Sequence, residues 1–367
     1  VNAPTIIDLP DGYALSWPEV NLKATTTQVR QHRDQRLTAD VQFFVCPNGD
    51  APKPLSAVET ISLKAHTTKA SWAKRFKEAY PSVDWFEAIE QLCQGVIRRF
   101  SEGEPVVDLN SWEEAPAPQY LLYPFVPKGH ATIIFGDGGS FKSFFALVLG
   151  ITALMPWTDN PLGIVAPAES ATTLYLDYEF GKDDTHRRWN SLIKGFNLGA
   201  ATLAYRRCTL PLKDEIAQVI AHIHRAEASI VIIDALDGAA GGELKETQAA
   251  QDFYAALRRF PAHVTPIIIA HNPKDKDNKT VLGSTLFTTR ARSVWEAKGT
   301  SEDSIGKIAL YHRKFNRARM PTLAFQFNFT PDDSITECFS IDPLADPSLE
   351  VNESLPSRIL MYLSHQL

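Results

Sequence analysis

Gly136-Asp137-Gly138-Gly139-Ser140-Phe141-Lys142-Ser143 stands between two apolar runs. Before it, Ala131-Thr132-Ile133-Ile134-Phe135 reads as a buried strand; after it, Phe144-Phe145-Ala146-Leu147-Val148-Leu149 reads as a helix with few polar positions. Strand, glycine-rich turn, Lys-Ser and helix is the context in which backbone N–H groups curl around phosphate oxygens. The helix N-terminus adds partial positive charge at the same place. In that reading Lys142 reaches the β- and γ-phosphates of a nucleotide, and Ser143 binds Mg²⁺ through its hydroxyl. The usual pattern is G-x-x-x-x-G-K-[ST], and Phe141 stands where its second fixed glycine belongs. A residue with a Cβ must hold there a conformation that glycine adopts freely. The competing reading is a turn that binds nothing; the strand-to-helix context and the residues downstream favour the phosphate site.

The 367 residues suggest two or three domains. Apolar content of 44% and charged content of 22% fit an ordinary soluble chain. No apolar run reaches the roughly 18 residues of a membrane span, and the N-terminus has no charged-then-apolar signal segment. Cys46, Cys93, Cys208 and Cys338 lie far apart without metal-ligand spacing, which suits reduced thiols and a cytoplasmic location. A net charge of −6 argues against a whole-surface nucleic-acid binder, but leaves room for a ring that holds DNA only in a lined channel.

Residues 1–104 read as a small α+β domain. Gly12 to Trp17, Asn21 to Gln31, Leu37 to Val45 and Ala57 to Leu63 are strand candidates, the middle two forming a hairpin across His32-Arg33-Asp34-Gln35. A helix over 69–80 places Trp72, Phe76 and Tyr80 on one face; a second over 84–100, N-capped by Asp84, buries Trp85, Ile89, Leu92, Val96 and Phe100. These aromatics suit core packing better than a base-stacking platform, and Arg98-Arg99 suits a solvated face. Residues 105–119 are an acidic, proline-bearing linker, and 120–345 are the core. The tail, 346–367, resembles the first helix of a winged helix that then stops.

The core alternates strands and helices, and most of its strands are wholly apolar. That pattern predicts an α/β fold with a mainly parallel sheet covered on both faces. Ligands bind such sheets at the carboxyl ends of the strands. Three polar residues fall at such ends. Glu179 closes Thr172 to Tyr178 and is placed to polarise an attacking water, ahead of Asp177 on the same face. Asp234 closes Ile230-Val231-Ile232-Ile233 and is placed to hold Mg²⁺ opposite Ser143. His271, with Asn272, closes Ile267 to Ala270 and is placed to sense the γ-phosphate. The following loop carries Lys274, Lys276 and Lys279, a composition suited to tracking a phosphate backbone although aspartates are interleaved. Gly238-Ala239-Ala240-Gly241-Gly242 reads as a second flexible loop. His312 to Arg319 is a basic cluster between two strands, from which Lys314 and Arg317 are the first candidates to reach a neighbour's nucleotide as arginine-finger equivalents.

Taken together, Gly136 to Ser143, Glu179, Ile230 to Asp234, His271 with Lys274, Gly283-Ser284, Ala291 to Glu296 and the Lys314-x-Asn316 turn resemble the RecA/DnaB-type ATPases. They are most similar to the RepA-type hexameric helicase branch of plasmids and phages. The resemblance covers residues 120–330 or so. It implies a RecA-like P-loop fold, ATP and Mg²⁺ as cofactors, and a homo-oligomeric ring, a hexamer, with ATP between subunits. It also implies single-stranded DNA in the channel, near Gly238 to Lys245 and Lys274 to Leu282, and replication or element-encoded proteins as partners. The expected function is a DNA helicase or translocase in mobile-element replication. The alternative is a partner-dependent regulatory, loader or defence ATPase that does no unwinding itself.

Overall fold

The structure, a computed structural model, describes every residue except 1, 10–11, 33, 47–51, 104–105, 107, 109–118, 156, 200, 273–280, 316–319, 333, 350–358 and 360–367. The chain divides into two compact units, Val1–Ala115 and Pro116–Leu367.

In the first unit an antiparallel sheet has the order β1 (Thr5–Leu9), β2 (Gly12–Trp17), β3 (Leu22–Gln31), β4 (Leu37–Val45), β5 (Lys53–Pro54), with β6 (Glu59–Ser62) also pairing with β4. Strict alternation along β4 buries Leu37, Ala39, Val41, Phe43 and Val45 on one face. Helices α1 (His66–Ala79) and α2 (Trp85–Glu102) contribute to the same apolar core. Phe43 meets Trp72, Phe76 and Trp85 edge to face at 5.4–6.4 Å, so these rings are core, not a platform for bases. Asp84 caps α2 as its sequence predicts, its carboxylate accepting from the Glu87 N–H at 3.2 Å. Phe100 departs from the predicted buried set: it lies near the helix end and is exposed.

In the second unit a nine-stranded sheet runs β11 (Ala204–Arg207), β10 (Thr173–Asp177), β12 (Ile230–Asp234), β13 (Thr265–His271), β9 (Thr132–Gly136), β14 (Ser293–Glu302), β15 (Ile305–Phe315), β16 (Leu323–Phe329), β17 (Ile335–Ile341). From β11 to β14 every neighbouring pair is parallel. From β14 to β17 every pair is antiparallel. This is a mixed α/β fold with a large, mostly parallel sheet, as the strand pattern predicts, and it is consistent with a RecA-like P-loop core. A short ribbon, β7 (Tyr120–Leu122) with β8 (Val126–Pro127), precedes it.

Alternation sends the residues of each central strand into two separate cores. Ile134, Ile232 and Ile269 join one core with α3 (Lys142–Leu154) and α4 (Lys182–Gly195). Ile133, Val231 and Ile268 join the other with α5 (Leu212–Arg225), α7 (Thr247–Leu257) and Phe287 of α8 (Thr285–Arg290). Both faces being covered explains why β9, β12 and β10 are buried at every position.

Several sequence expectations need correction. Gly238 to Ala240 is not part of a flexible loop; it lies in a short helix, α6 (Leu236–Ala240), with Ala239 and Ala240 buried. Gly238 is there because a Cβ would meet the Tyr178 side chain at 2.8 Å. Strand β10 stops at Asp177, so Glu179 stands in the turn beyond it. His312, Arg313 and Lys314 belong to β15 itself and not to a connection between strands. Elements β1, β17 and α8 carry no sequence pattern strong enough to predict them.

Replacing Asp84 with alanine removes the cap of α2. We expect a loss of about 1 kcal/mol of stability, read by denaturant unfolding of the full chain.

Candidate active site

The register places the polar strand ends level with one another. Asp177 is opposite Asp234, His271 is opposite Gly136, and Gly136 is opposite Ala297. The glycine-rich loop therefore leaves β9 at the carboxyl edge of the parallel strands and enters α3 there. Gly138, Gly139, Ser140, Lys142, Ser143, Glu179 and His271 line one pocket of about 190 Å³. A larger cleft of about 960 Å³ adjoins it and shares Phe141, Phe144 and Arg188.

Lys142 is 5% exposed. Its ammonium donates to the Asp137 carbonyl at 2.6 Å and to Ser140 Oγ at 3.3 Å. Burial lowers its pKa, against the pull of Asp234, Glu179 and Asp137. Ser140 Oγ in turn donates to the Asp137 carbonyl at 2.8 Å, and the Asn272 amide reaches Asp137 Oδ1 at 3.0 Å.

Asp234 is wholly buried at the end of β12. Tyr175 donates its hydroxyl to one carboxylate oxygen, Oδ2. The other, Oδ1, is buried without a hydrogen-bond partner. Burial raises the Asp234 pKa, while the Tyr175 and Ser143 hydroxyls lower it. The Ser143 hydroxyl thus acts on the carboxylate without closing a direct hydrogen bond. An orphaned carboxylate oxygen beside a hydroxyl, at a phosphate-binding loop, is the donor set that Mg²⁺ needs when phosphates supply its remaining ligands. Among the described residues there is no cluster of three or more His, Cys, Asp or Glu side chains that could hold a metal on its own.

Glu179 and His271 face each other, with His271 Nε2 3.8 Å from Glu179 Oε2. Each shifts the other. His271 lowers the Glu179 pKa, with help from Lys142 and Arg188, and Glu179 raises the His271 pKa against burial. Glu179 is therefore held as a carboxylate, the form a general base needs.

Asp177 is not a second catalytic acid on the same face. It is fully buried and accepts from the N–H groups of Glu179, Phe180 and Gly181 at 2.7–2.9 Å. Tyr205 and Arg207 reach it as well, at 2.8 and 3.4 Å. Burial would raise its pKa; these donors more than offset that and lower it. It fixes the turn that presents Glu179.

The sequence reading missed Arg188. It lies on α4, lines both cavities, and stacks its guanidinium over Phe180 at 4.2 Å and Phe144 at 5.4 Å. The only available signal was its position half-way along a helix that starts beside Glu179. Lys314 donates to the carbonyls of Thr288 and Ala291 at 3.0 and 2.9 Å and also to that of Thr289, so within this chain it caps α8. Arg313 pairs with the buried Glu296. Lys274, Lys276, Lys279 and Arg317 lie outside the described residues.

Residues 98–277 match a family model described as an AAA domain. No curated protein matches the chain. Among solved structures, a KaiC-like protein from the hyperthermophilic archaeon Pyrococcus horikoshii OT3 aligns at 14% identity over 60% of this chain and 94% of that one, with a TM-score of 0.39.

The Glu179–His271 contact predicts a histidine that titrates above the ordinary value in the nucleotide-free protein. Its stabilising contribution is present below the unfolded histidine pKa and fades as pH rises through the raised one. The lowered Glu179 pKa sets the acid limit: that contribution fades as pH falls through it. An NMR titration of His271 should show its midpoint fall when Glu179 is changed to Gln.

Proposed function

We propose that this chain is a Mg²⁺-dependent ATP hydrolase that assembles as a homo-oligomeric ring and moves along or unwinds single-stranded DNA. The observation that carries the hydrolase reading is Asp234 Oδ1, buried and unpaired at the edge of the glycine-rich loop. A native fold rarely leaves a carboxylate oxygen so placed unless a ligand completes it.

Each group then has a task. The loop N–H groups and the N-terminus of α3 receive the phosphates. Lys142 gains an anionic partner in place of the Asp137 carbonyl. Asp234 and Ser143 would hold Mg²⁺, which would supply electrostatic stabilisation of the phosphate charge. Glu179, kept ionised by His271, Lys142 and Arg188, accepts a proton from the water whose oxygen bonds to the γ-phosphorus as the bond to the β–γ bridging oxygen breaks, with ADP leaving and phosphate released. Arg188 and the adjoining cleft with Phe144 and Asn190 suit the rest of the nucleotide.

The DNA and ring parts rest on the resemblance and on one arrangement. The Leu282 N–H donates to the His271 carbonyl at 2.9 Å, and the Ser284 N–H to the Leu244 carbonyl at 2.7 Å. Leu244 and Leu282, near and at the ends of the two proposed channel segments, are thereby tied to Ser284 and to the strand that carries His271. A cytoplasmic setting, a hexameric ring and replication partners belong to the same proposal.

The alternative, a partner-dependent ATPase without unwinding activity, is favoured by Lys314. Its ammonium is committed to the C-terminal carbonyls of α8, which leaves a trans finger to other residues or to a partner.

Changing Lys142 to Ala or Asp234 to Asn should each lower kcat for ATP by about 10²–10³, in a phosphate-release assay. Retained turnover in the Lys142→Ala protein contradicts the hydrolase reading. Single-stranded DNA should stimulate the wild-type rate and should not stimulate a Lys274→Glu, Lys276→Glu, Lys279→Glu protein. Hydrolysis indifferent to DNA selects the alternative.

A further inference from the structure

We infer that Phe141 is a positioning residue whose ring pins the phosphate-binding loop to the antiparallel end of the sheet. The loop is thereby held ready for nucleotide before nucleotide arrives. The inference rests on the proposed nucleotide site and adds a residue that the usual motif does not have.

Phe141 adopts φ 60°, ψ 16°, the left-handed region. That conformation is unfavourable for a residue with a Cβ and persists only where its surroundings hold it. Here the ring does the holding. It stacks on Phe327, centroids 5.7 Å apart at 22°, and on Phe329, 6.0 Å apart at 29°. Phe144, on the first turn of α3, closes the cluster at 6.3 Å.

The partner strands are cleared to receive the loop. A Cβ on Gly306 of β15 would lie 2.5 Å from Phe141 Cζ. A Cβ on Gly299 of β14 would lie 2.6 Å from Ser140 Cα, and one on Gly136 would lie 2.2 Å from the Ala297 carbonyl oxygen. None of these three glycines has a left-handed φ. Gly299 and Gly306 leave room for the loop, and Gly136, at the start of the loop, leaves room for the β14 backbone; backbone freedom explains none of the three. Gly306 and Phe327 are directly paired across β15 and β16, so the slot and one wall of the aromatic cluster are a single feature of the sheet.

A glycine at position 141 would reach the same backbone conformation without strain, but without the anchor. The loop would then spend less time in the shape that binds phosphate, and apparent affinity falls in proportion to that fraction. Phe141 therefore replaces conformational permission with conformational enforcement.

The test is binding of a fluorescent ADP to the full chain, with steady-state ATP hydrolysis alongside. Phe141→Gly should weaken binding by about tenfold and raise KM with it, while kcat at saturation changes less than about threefold. Gly306→Ala, which is outside the phosphate pocket, should also weaken binding by displacing the ring. In the Phe141→Gly background it should have no further effect, because no ring remains to displace. A general loss of folding would instead lower kcat and active fraction and leave KM alone. Wild-type-like affinity in Phe141→Gly, or a Gly306→Ala effect that persists at full size without the ring, overturns the inference while leaving the nucleotide site standing. A wild-type protein that binds no nucleotide overturns both.

Discussion

An ammonium and a carboxylate are held out of water at one end of one sheet. Lys142 and Asp234 are 5% and 0% exposed, and neither has a full set of partners in its own chain. Lys142 has neutral oxygens at Asp137 and Ser140; Asp234 has Tyr175 on one oxygen and none on the other. Burying ions so incompletely paired costs several kcal/mol. The fold must meet that cost from its two apolar cores, and a ligand carrying both negative oxygens and a divalent cation relieves it from both sides.

The parallel strands and the antiparallel extension divide the work. Parallel register brings Asp177, Asp234, His271 and Gly136 to one edge. Asp177 spends its carboxylate on the turn after β10 and so aims Glu179 at His271. The extension lies under the loop, with glycine at 299 and 306 where the loop backbone and the Phe141 ring approach. It also supplies the phenylalanines that stack on that ring. Position 141 is thus set by contacts made about half the chain away in sequence.

That distance marks where sequence reading works and where it stops. Strands β9, β12 and β13 were legible because burial on both faces leaves them almost purely apolar. Lys142, Ser143 and Asp234 stood out in the sequence because they close or follow such strands, and the structure buries Lys142 and Asp234 there. The structure brings Glu179 and His271 to the same pocket. The helix after Asp234 was read as a loop because Gly238 sits in it; the reason for that glycine is the Tyr178 side chain, which no local pattern reveals. Strand β17 was missed because only Ile335 and Cys338 along it are buried, without the alternation of a half-buried strand. Arg188 was missed because it is one cation in a charged helix until the fold turns it toward Glu179. The aromatic departure at Phe141 was visible, but its meaning required Phe327, Phe329 and Gly306 in space.

Phosphate release from ATP by the wild-type protein, with Mg²⁺ or with the metal chelated, tests the central claim most directly. The account predicts steady release that depends on Mg²⁺ and ceases on chelation. Absence of release with Mg²⁺ and single-stranded DNA both present, together with no detectable nucleotide binding, would contradict it.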